Sequence, residues 1–412
     1  MKIKRLLTAL AAIVTAAAAA YAQNGTLSPY SRYGYGLISD HATSAQTAMG
    51  GVGYAMHSGR QINVMNPASY ARVDSLTFLF DMGLDLTAVW NNETFDGNRI
   101  SDKDFGGGLG YITMQFPVTK YLGMSVGVLP YSSVGYSFGN GIDNGYASRS
   151  GDGSINELYL GIGGRIAAPI SVGVNVSYLF GSTNNYTYAT TDGGSTSLFK
   201  RELEVRDWHI NAGLQYVQPI GRDVLAIGLT YSPAKKFLGH SRTYRQDLTA
   251  DNTPEEVSSG KLKDSYSMAA SYGAGISYTW RSRLTVEADF TYQPWSKEKY
   301  DGVKGALADR YKIAVGAQYQ PALRGGYFRR IQYRAGAFYD RDYIRIGDNN
   351  VREYGLACGL GLPVPGFKTM VNLGFEWLHR QGTPDALVKE NYLNITIGVN
   401  FNETWFRKNK IY

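Results

Sequence analysis

Few side chains in this sequence are of the types that carry out chemistry, and their spacing does not form a catalytic or metal site. The single cysteine, Cys358, excludes an internal disulfide and a cysteine-rich metal site. No Gly-x-Ser-x-Gly nucleophile elbow stands at a strand-to-helix turn. No two of the five histidines have a ligand spacing such as i and i+4: His41, His57, His209, His240 and His379. We therefore expect no enzyme, no bound metal and no cofactor.

Two further patterns could suggest phosphate or nucleic-acid chemistry, and neither supports it. Gly106 to Gly110 superficially looks like a phosphate loop, but it opens a β segment and no helix follows it. The formal net charge is +7, and removal of Lys2, Lys4 and Arg5 with a leader would leave +4. Nucleic-acid binding would require clustered basic and aromatic side chains on one element. We expect no nucleic-acid partner.

The first residues have the pattern of an export signal. Lys2, Lys4 and Arg5 precede an apolar stretch from Leu6 to Ala20, and small residues follow up to Ala22. This order is typical of a secretory signal peptide, which predicts cleavage after Ala22. The apolar run is too short to be a good membrane-spanning helix. Residues 1–22 are thus predicted to be a signal peptide.

The main structural signal is alternation of apolar and polar residues with a period of two. Leu284, Val286, Ala288, Phe290 and Tyr292 alternate with polar residues, and many other segments show the same pattern. With 49 glycines, 32 tyrosines and no mature apolar run of membrane-helix length, a membrane protein of this composition must be a barrel. We count fourteen two-faced segments, near 75–90, 105–117, 120–138, 154–168, 170–182, 199–218, 222–233, 265–280, 283–294, 309–320, 331–341, 350–362, 368–380 and 390–402.

The connections between these segments provide a second test. Short turns, such as Arg281-Ser282, follow the even-numbered segments, whereas the links after odd-numbered segments are mostly longer and polar, above all Ala234 to Asp264. Outer-membrane barrels have short periplasmic turns and longer outer loops. The alternative is a secreted β-sandwich, in which alternation also occurs. The prediction is an all-β, 14-stranded antiparallel transmembrane β-barrel at residues 75–412, in the outer membrane of a bacterium and in contact with its lipid.

Residues 23–74, between the signal and the first strand, lack a regular period and are rich in Gly, Ser, Ala and Asn. A barrel of this size has a polar interior wide enough to hold a plug. We predict that residues 23–74 form an N-terminal plug, or hatch, in the lumen; the alternative is a flexible periplasmic tail. The inward-facing charges would hold the plug, and a lesser alternative is a selectivity path: Arg165, Glu287, Asp289, Lys312, Arg334 and Glu376.

Two stretches resemble a known family. The first comprises Ser28-Pro29-Tyr30-Ser31-Arg32-Tyr33-Gly34-Tyr35-Gly36, Met49 to Gly53, and Asn66-Pro67-Ala68-Ser69-Tyr70; the second is Leu129-Pro130-Tyr131-Ser132-Ser133 in the third strand. They resemble FadL-like outer-membrane proteins, whose hatch carries an Asn-Pro-Ala motif and whose kinked third strand opens the wall sideways. Proline lacks the N–H that a β ladder requires, so Pro130 independently indicates a local break. Either a lateral opening at Pro130, Tyr131 and Ser132 or a simple bulge would account for it.

The resemblance implies passive uptake of hydrophobic, fatty-acid-like small molecules. They would be captured outside, pass the hatch at Asn66, Pro67 and Ala68, and leave through the side of the wall. The alternative is a non-transporting structural or recruiting subunit of an outer-membrane secretion or protein-assembly complex, since barrels that begin with a similar Ser-Pro-Tyr-Ser-Arg-Tyr-Gly pattern resemble such subunits. A hydrophobic ligand is the partner expected in the first case, and other outer-membrane proteins are the partners expected in the second.

Overall fold

The chain folds into fourteen long antiparallel strands. A computed structural model describes residues 27–404 apart from 96, 97, 143, 250–252 and 386, so the predicted signal peptide lies outside the described residues. The barrel strands are β1 Thr77–Phe95, β2 Asn98–Pro117, β3 Leu122–Ile142, β4 Gly145–Arg165, β5 Ile170–Thr191, β6 Thr196–Ile220, β7 Asp223–Ser232, β8 Ser271–Trp280, β9 Leu284–Gln293, β10 Arg310–Tyr319, β11 Gln332–Ile346, β12 Asn349–Pro363, β13 Met370–Thr383 and β14 Lys389–Thr404.

Each strand pairs with its neighbours in the chain, and the last strand closes the barrel against the first. The β1–β14 ladder runs from the pair Thr77 and Thr404 to the pair Asn92 and Lys389. Every predicted segment corresponds to one of these strands, so the predicted 14-stranded barrel is confirmed. Because the strand number is even, the two ends of the barrel sequence lie on the same side, which is the periplasmic side of the short turns.

The two faces of the strands differ as the alternation requires. On β6, Trp208, Ile210 and Leu214 are exposed on the outer face, whereas His209 and Gln215 are buried on the inner face. In a soluble protein this arrangement would leave a large apolar surface in water. In a bilayer it places apolar side chains against lipid and satisfies the backbone within the closed ladder. The barrel is thus a transmembrane one.

The outer connections are where the prediction was wrong. Links expected to be long polar loops after β1, β3 and β5 consist largely of strand extensions. Strand β1 reaches Phe95 and β2 begins at Asn98; β3 reaches Ile142 and β4 begins at Gly145; β5 reaches Thr191 and β6 begins at Thr196. The predicted loop Ala234 to Asp264 contains the hairpin Gly239–Asp247 and Glu255–Lys261, and its first strand pairs with β6. The other short strands are Leu37–Ile38, Lys235–Lys236, Ser267–Met268, Lys299–Tyr300 and Val303–Lys304.

Helical structure is confined to short turns. The α-helical turns are Ser44–Thr47, Leu262–Ser265 and Tyr327–Arg330, and the 3₁₀ turns are Pro29–Arg32, Pro67–Arg72 and Trp295–Lys297. In the described part of the chain, every helix is too short or too polar to cross a membrane.

Residues 27–74 run inside the barrel against the inner faces of its strands. We call them the plug, and divide it into an upper plug, residues 28–41, and a lower plug, residues 43–72. The 3₁₀ turn Pro67–Arg72 packs against β4 and β5, and the helical turn Ser44–Thr47 packs against β13 and β14 on the opposite side. The lower plug thus reaches across the whole lumen.

Candidate functional site

The Asn66-Pro67-Ala68 motif ties the lower plug to the wall. Asn66 is fully buried, and its Nδ2 donates to the carbonyl oxygens of Tyr54, at 2.7 Å, and of Leu214 on β6, at 3.2 Å. Its Oδ1 accepts from the backbone N–H of Ala68 at 3.1 Å and so caps the turn that follows. One side chain therefore fixes both the fold of the plug and its position.

The wall makes room for the plug backbone with a ring of glycines. A Cβ atom on Gly173 of β5 would overlap the backbone of Pro67, and one on Gly228 of β7 would overlap the carbonyl oxygen of Tyr54. Glycines on eleven strands define the glycine ring. The plug atoms nearest to an added Cβ are backbone atoms at Gly123, Gly163, Gly173, Gly228, Gly316 and Gly336, and they are side-chain atoms, at 2.1 to 2.9 Å, at Gly83, Gly213, Gly275, Gly359 and Gly398. Because these wall positions carry no side chain, the fit depends on the absence of a Cβ.

Two of the predicted inward charges bind the plug backbone directly. Asp289 on β9 accepts from the N–H groups of Gly53, at 2.6 Å, and Tyr54, at 2.9 Å. Glu287, two residues earlier on the same face, accepts from the N–H of Ala55 at 2.9 Å. Carboxylates that accept backbone N–H groups form stronger hydrogen bonds than neutral acceptors. These two residues satisfy a stretch of plug backbone that has no regular secondary structure of its own.

The upper plug is held by a buried ion-pair network. Asp40 binds both Arg310, with 2.8 Å between Nη2 and Oδ1, and Lys312 on β10. Arg310 also pairs with Asp340 on β11 at 2.5 Å. Burial alone would raise the pKa of the Asp40 carboxyl, but Lys312 and Arg310 hold that pKa well below its usual range. Asp40 is therefore a charged link between plug and wall.

The other predicted inward charges have different partners. Arg165 donates to the carbonyl oxygen of Ala71 in the plug, at 3.4 Å. Arg334 donates to Asn372 on the wall, at 2.7 Å, and Glu376 accepts from Asn394 on the wall, at 2.9 Å. Of the six predicted residues, Arg165, Glu287, Asp289 and Lys312 thus contact the plug, and the hydrogen bonds of Arg334 and Glu376 organise the wall.

An aromatic cluster closes the outer end of the lumen. The ring of Tyr35 lies 4.9 Å from Phe237, 5.7 Å from Trp295 and 5.2 Å from Tyr300, measured between ring centroids. The Tyr35 hydroxyl donates to the carbonyl oxygen of Ser267 at 3.0 Å. Except for Tyr35, these residues belong to the outer connections β7–β8 and β9–β10, which fold inward over the upper plug.

The wall has a side gap between β2 and β3. Their ladder extends only from the pair Pro117 and Gly123 to the pair Ile112 and Val128. Beyond it, among the described residues, β2 has no wall partner other than β1, and β3 has no wall partner other than β4. Pro130 lies where the gap begins, and the β3–β4 register shifts between Pro130 and Ser132, so Tyr131 is an extra residue.

A strand of the plug lies along the edge of β3 just beyond Pro130, where this gap begins. Leu37–Ile38 pairs with Ser133 and Ser132 on the free edge of β3, and the N–H of Ser39 donates to the carbonyl oxygen of Tyr131 at 2.9 Å. Tyr131 and Ser132 are themselves buried. The predicted kink residues thus lie under the upper plug, at the point where the wall is incomplete.

A cavity of about 270 Å³ connects the gap to the upper plug. Leu129 and Pro130 line it on the side of the gap, and Asp40 and Lys312 line it on the side of the plug. Asp85 and Glu376 also line it. Among the described residues, no group of three or more His, Cys, Asp or Glu side chains could hold a metal ion. The arrangement suits ligand passage or packing, with ion pairs to hold the plug.

Sequence reasoning missed Asp40 and the glycine ring, and it included Tyr35 in the resemblance without assigning it a role. Tyr35 lies between Gly34 and Gly36, which both have positive φ, and this Gly-Tyr-Gly pattern was a usable signal. Gly173, Gly213 and Gly228 stand at polar-face positions of alternating segments, which also indicates close approach from the lumen. Nothing in the sequence pairs Asp40 with Arg310.

The family model described as BamG matches residues 2–412. The chain belongs to the BamG family. None of the curated proteins matches its sequence.

Solved structures show that this BamG-family chain has the fold of FadL-like channels, as its motifs suggested. The Pseudomonas putida toluene transporter TodX has a TM-score of 0.65 at 15% identity, covering 90% of this chain and 100% of that one. The Ralstonia pickettii toluene transporter TbuX has a TM-score of 0.61 at 15% identity, covering 87% and 97%. A Pseudomonas aeruginosa FadL homologue has a TM-score of 0.61 at 12% identity, covering 90% and 99%.

Proposed function

We propose that this outer-membrane barrel mediates passive uptake of hydrophobic, fatty-acid-like small molecules through movement of the upper plug and exit at the side gap. The observation that carries the proposal is the position of Leu37–Ile38 on the edge of β3 within the gap. The same segment, residues 28–41, closes the lumen above and covers the gap in the wall. One movement of this segment would therefore open both the lumen and the side gap.

The cavity at the gap supports a role for ligand in that movement. Lys312 lines the cavity and binds Asp40, which is the charged link between upper plug and wall. A ligand carboxylate that reached Lys312 would compete with Asp40 for the same ammonium group. Ligand binding would then weaken the hold on the upper plug while the lower plug stayed fixed in the glycine ring.

Structural relatives support the same class of ligand. TodX and TbuX are toluene transporters. For this chain, we propose a small hydrophobic molecule that crosses to the gap between β2 and β3 and leaves into the bilayer. Pro130 would serve to keep the gap open, because it cannot donate to a ladder with β2.

A disulfide lock across the gap tests the proposal. In a Cys358→Ala background, Ile38→Cys and Ser132→Cys create a pair at directly opposed positions of an antiparallel ladder, where Cα atoms are close enough for a disulfide. We expect oxidation to reduce uptake of radiolabelled toluene or a long-chain fatty acid by about tenfold or more, and reduction to restore it.

The matched control places the same bond in the closed part of the wall. Met114→Cys and Val126→Cys face each other in the β2–β3 ladder below the gap. This lock should leave uptake unchanged, since those strands are already paired. Uptake that is equally fast with the Ile38–Ser132 lock closed or open would refute movement of the upper plug.

The second candidate is a non-transporting subunit of an outer-membrane secretion or assembly complex. The observation that favours it is the closure of the lumen at two levels, by the glycine ring around the lower plug and by the aromatic cluster around Tyr35. In that case cells with the locked or the unlocked protein would take up no more ligand than cells without it. Deletion of the protein would instead reduce the amount of other folded outer-membrane barrels.

A further inference from the structure

The periplasmic turns carry charge of one sign only. The six turns that join even-numbered to odd-numbered strands contain eight Lys or Arg residues and no Asp or Glu. They are residues 118–121, 166–169, 221–222, 281–283, 320–331 and 364–369. The outer connections, in contrast, mix both signs, as in Arg201 paired with Asp301. This asymmetry creates a positive potential at the periplasmic end.

Part of this charge surrounds a vestibule in the periplasmic mouth of the barrel. The vestibule is a cavity of about 850 Å³ whose floor is the lower plug at residues 56–61. Arg324, Arg330 and Lys368 from two turns line it, together with Arg60 of the plug. Its acidic lining residues, Asp74 and Glu287, are already engaged with Arg60 and with plug backbone, respectively.

Exposed apolar side chains stand on the same two turns. Leu323 is 67% exposed, Phe328 76% and Phe367 45%. Leu323 and Phe367 line the vestibule beside Arg324 and Lys368. Arg and aromatic side chains together are the composition that protein interfaces favour, whereas a free turn in water gains nothing from an exposed Phe.

We propose that the vestibule binds an acidic segment of a partner polypeptide that enters the barrel mouth from the periplasm. Arg324, Arg330 and Lys368 would pair with its carboxylates, and Leu323 and Phe367 would contact its apolar side chains. The inference is independent of the uptake proposal, since it concerns the other side of the lower plug.

The shape of the vestibule favours a polypeptide over the other anions available. Bilayer lipid surrounds the outer face of the strands, whereas the vestibule is enclosed by their inner faces and by the plug. Its volume falls in the upper range of ligand pockets, far above that of a phosphate ion. A flexible chain with alternating acidic and apolar residues matches both the charge and the exposed apolar groups.

The test compares two charge reversals on the same face of the molecule. The vestibule variant is Arg324→Glu, Arg330→Glu and Lys368→Glu. The control variant is Arg222→Glu, Arg281→Glu and Arg283→Glu, which changes the charge equally on turns around a neighbouring surface pocket; the three arginines do not line the vestibule, and the two cavities share only Ser282. The probe is a fluorescein-labelled peptide of alternating Glu and Leu, and its binding to the full-length, detergent-purified barrel is followed by fluorescence anisotropy at physiological salt.

We expect the vestibule variant to weaken peptide binding by about tenfold or more and the control by less than about threefold. Heat-modifiable migration on gels confirms that both variants are folded. Equal loss in both variants would show non-specific attraction and overturn the proposal. Displacement of the peptide by anionic phospholipid or by millimolar inorganic phosphate would also overturn it, by assigning the site to a headgroup or to a small anion.

Discussion

The two halves of the plug are held in different ways. The lower plug touches the wall mainly through its backbone, because six members of the glycine ring bring strand and plug backbones into direct contact and the carboxylates of Glu287 and Asp289 accept from its N–H groups. The upper plug is held by side chains: the rings around Tyr35, the ion pairs of Asp40 and the short strand Leu37–Ile38. A contact between backbones cannot relax by a change of rotamer, whereas a contact between side chains can.

This difference assigns rigidity to one half of the plug and motion to the other. The lower plug can move only if the wall moves with it, because its fit leaves no room for a Cβ. The upper plug can be released by breaking a few side-chain contacts and two pairs of ladder residues. Changes to the two halves should therefore fail in different ways. A disrupted lower plug should leave the lumen unblocked, whereas a disrupted upper plug should only loosen the outer segment.

The largest effect is expected when both halves are removed together. Replacing residues 28–70 with a short linker should convert a closed barrel into an open channel, since the lumen of a 14-stranded barrel is otherwise filled only by side chains of the wall. The measurement is single-channel conductance in planar bilayers. A conductance that stays at the level of the intact protein would mean that the segment does not block the lumen.

A single substitution in the glycine ring should disrupt the lower plug. Gly228→Val places side-chain atoms where the carbonyl oxygen of Tyr54 lies, and such overpacking costs about 3 kcal/mol. We expect frequent open-channel events in planar bilayers. Gly108→Val on β2 is the matched control, since a Cβ there meets no atom within 4 Å. Similar conductance traces for the two variants would contradict the steric fit.

Removal of the central ring of the aromatic cluster should loosen the upper plug alone. Tyr35→Ala deletes a buried side chain with four ring neighbours, at a cost of about 3 kcal/mol to the docking of this segment. The rate of tryptic cleavage after Arg32 should rise, while the lumen remains blocked at the glycine ring. If channel conductance rose to the same extent as in Gly228→Val, the two halves would not be independent.

The ion pairs of Asp40 should give a smaller, pH-dependent effect. Asp40→Asn leaves Lys312 without its carboxylate partner and should increase uptake at neutral pH. Since the folded pKa of Asp40 lies below its ordinary value of about 3.9, the stabilisation is present above that pH and is lost as the pH falls below it. The difference between wild type and variant should therefore shrink below about pH 4. If the difference in uptake between wild type and Asp40→Asn stayed constant on both sides of that pH, the ion pairs of Asp40 would not be its cause.

The smallest effect is expected at the break in β3. Pro130→Val restores a backbone N–H at the start of the gap, so β2 and β3 can extend their ladder beyond Ile112 and Val128 by about one hydrogen bond. Uptake of a hydrophobic compound should fall severalfold, with no change in barrel stability. Unaltered uptake would show that Pro130 forms only a bulge.

The barrel could be predicted because each strand within the bilayer has one lipid-facing and one inward face. The same reasoning failed at the outer ends. Residues 145–153 and 183–191 are strand, but their sequence is mostly polar and glycine-rich without a continuous apolar face, so it was read as loop. Alternation of apolar and polar residues arises where the two faces of a strand meet different environments, so it ends where the strand leaves the bilayer.

The site was only partly predictable for a related reason. The inward charges followed from alternation, and the motif around Asn66 followed from the family resemblance. Contacts such as Asp40 with Arg310, 270 positions apart, depend on how the plug is placed inside the closed wall. No local pattern encodes that placement.

The close fit of the glycine ring also constrains how the molecule is built. A closed wall without clearance cannot admit a chain that is already folded, so the plug must be in place before β14 meets β1 and completes the cylinder. The plug, which precedes the barrel strands in the chain, would then serve as the template around which the sheet closes.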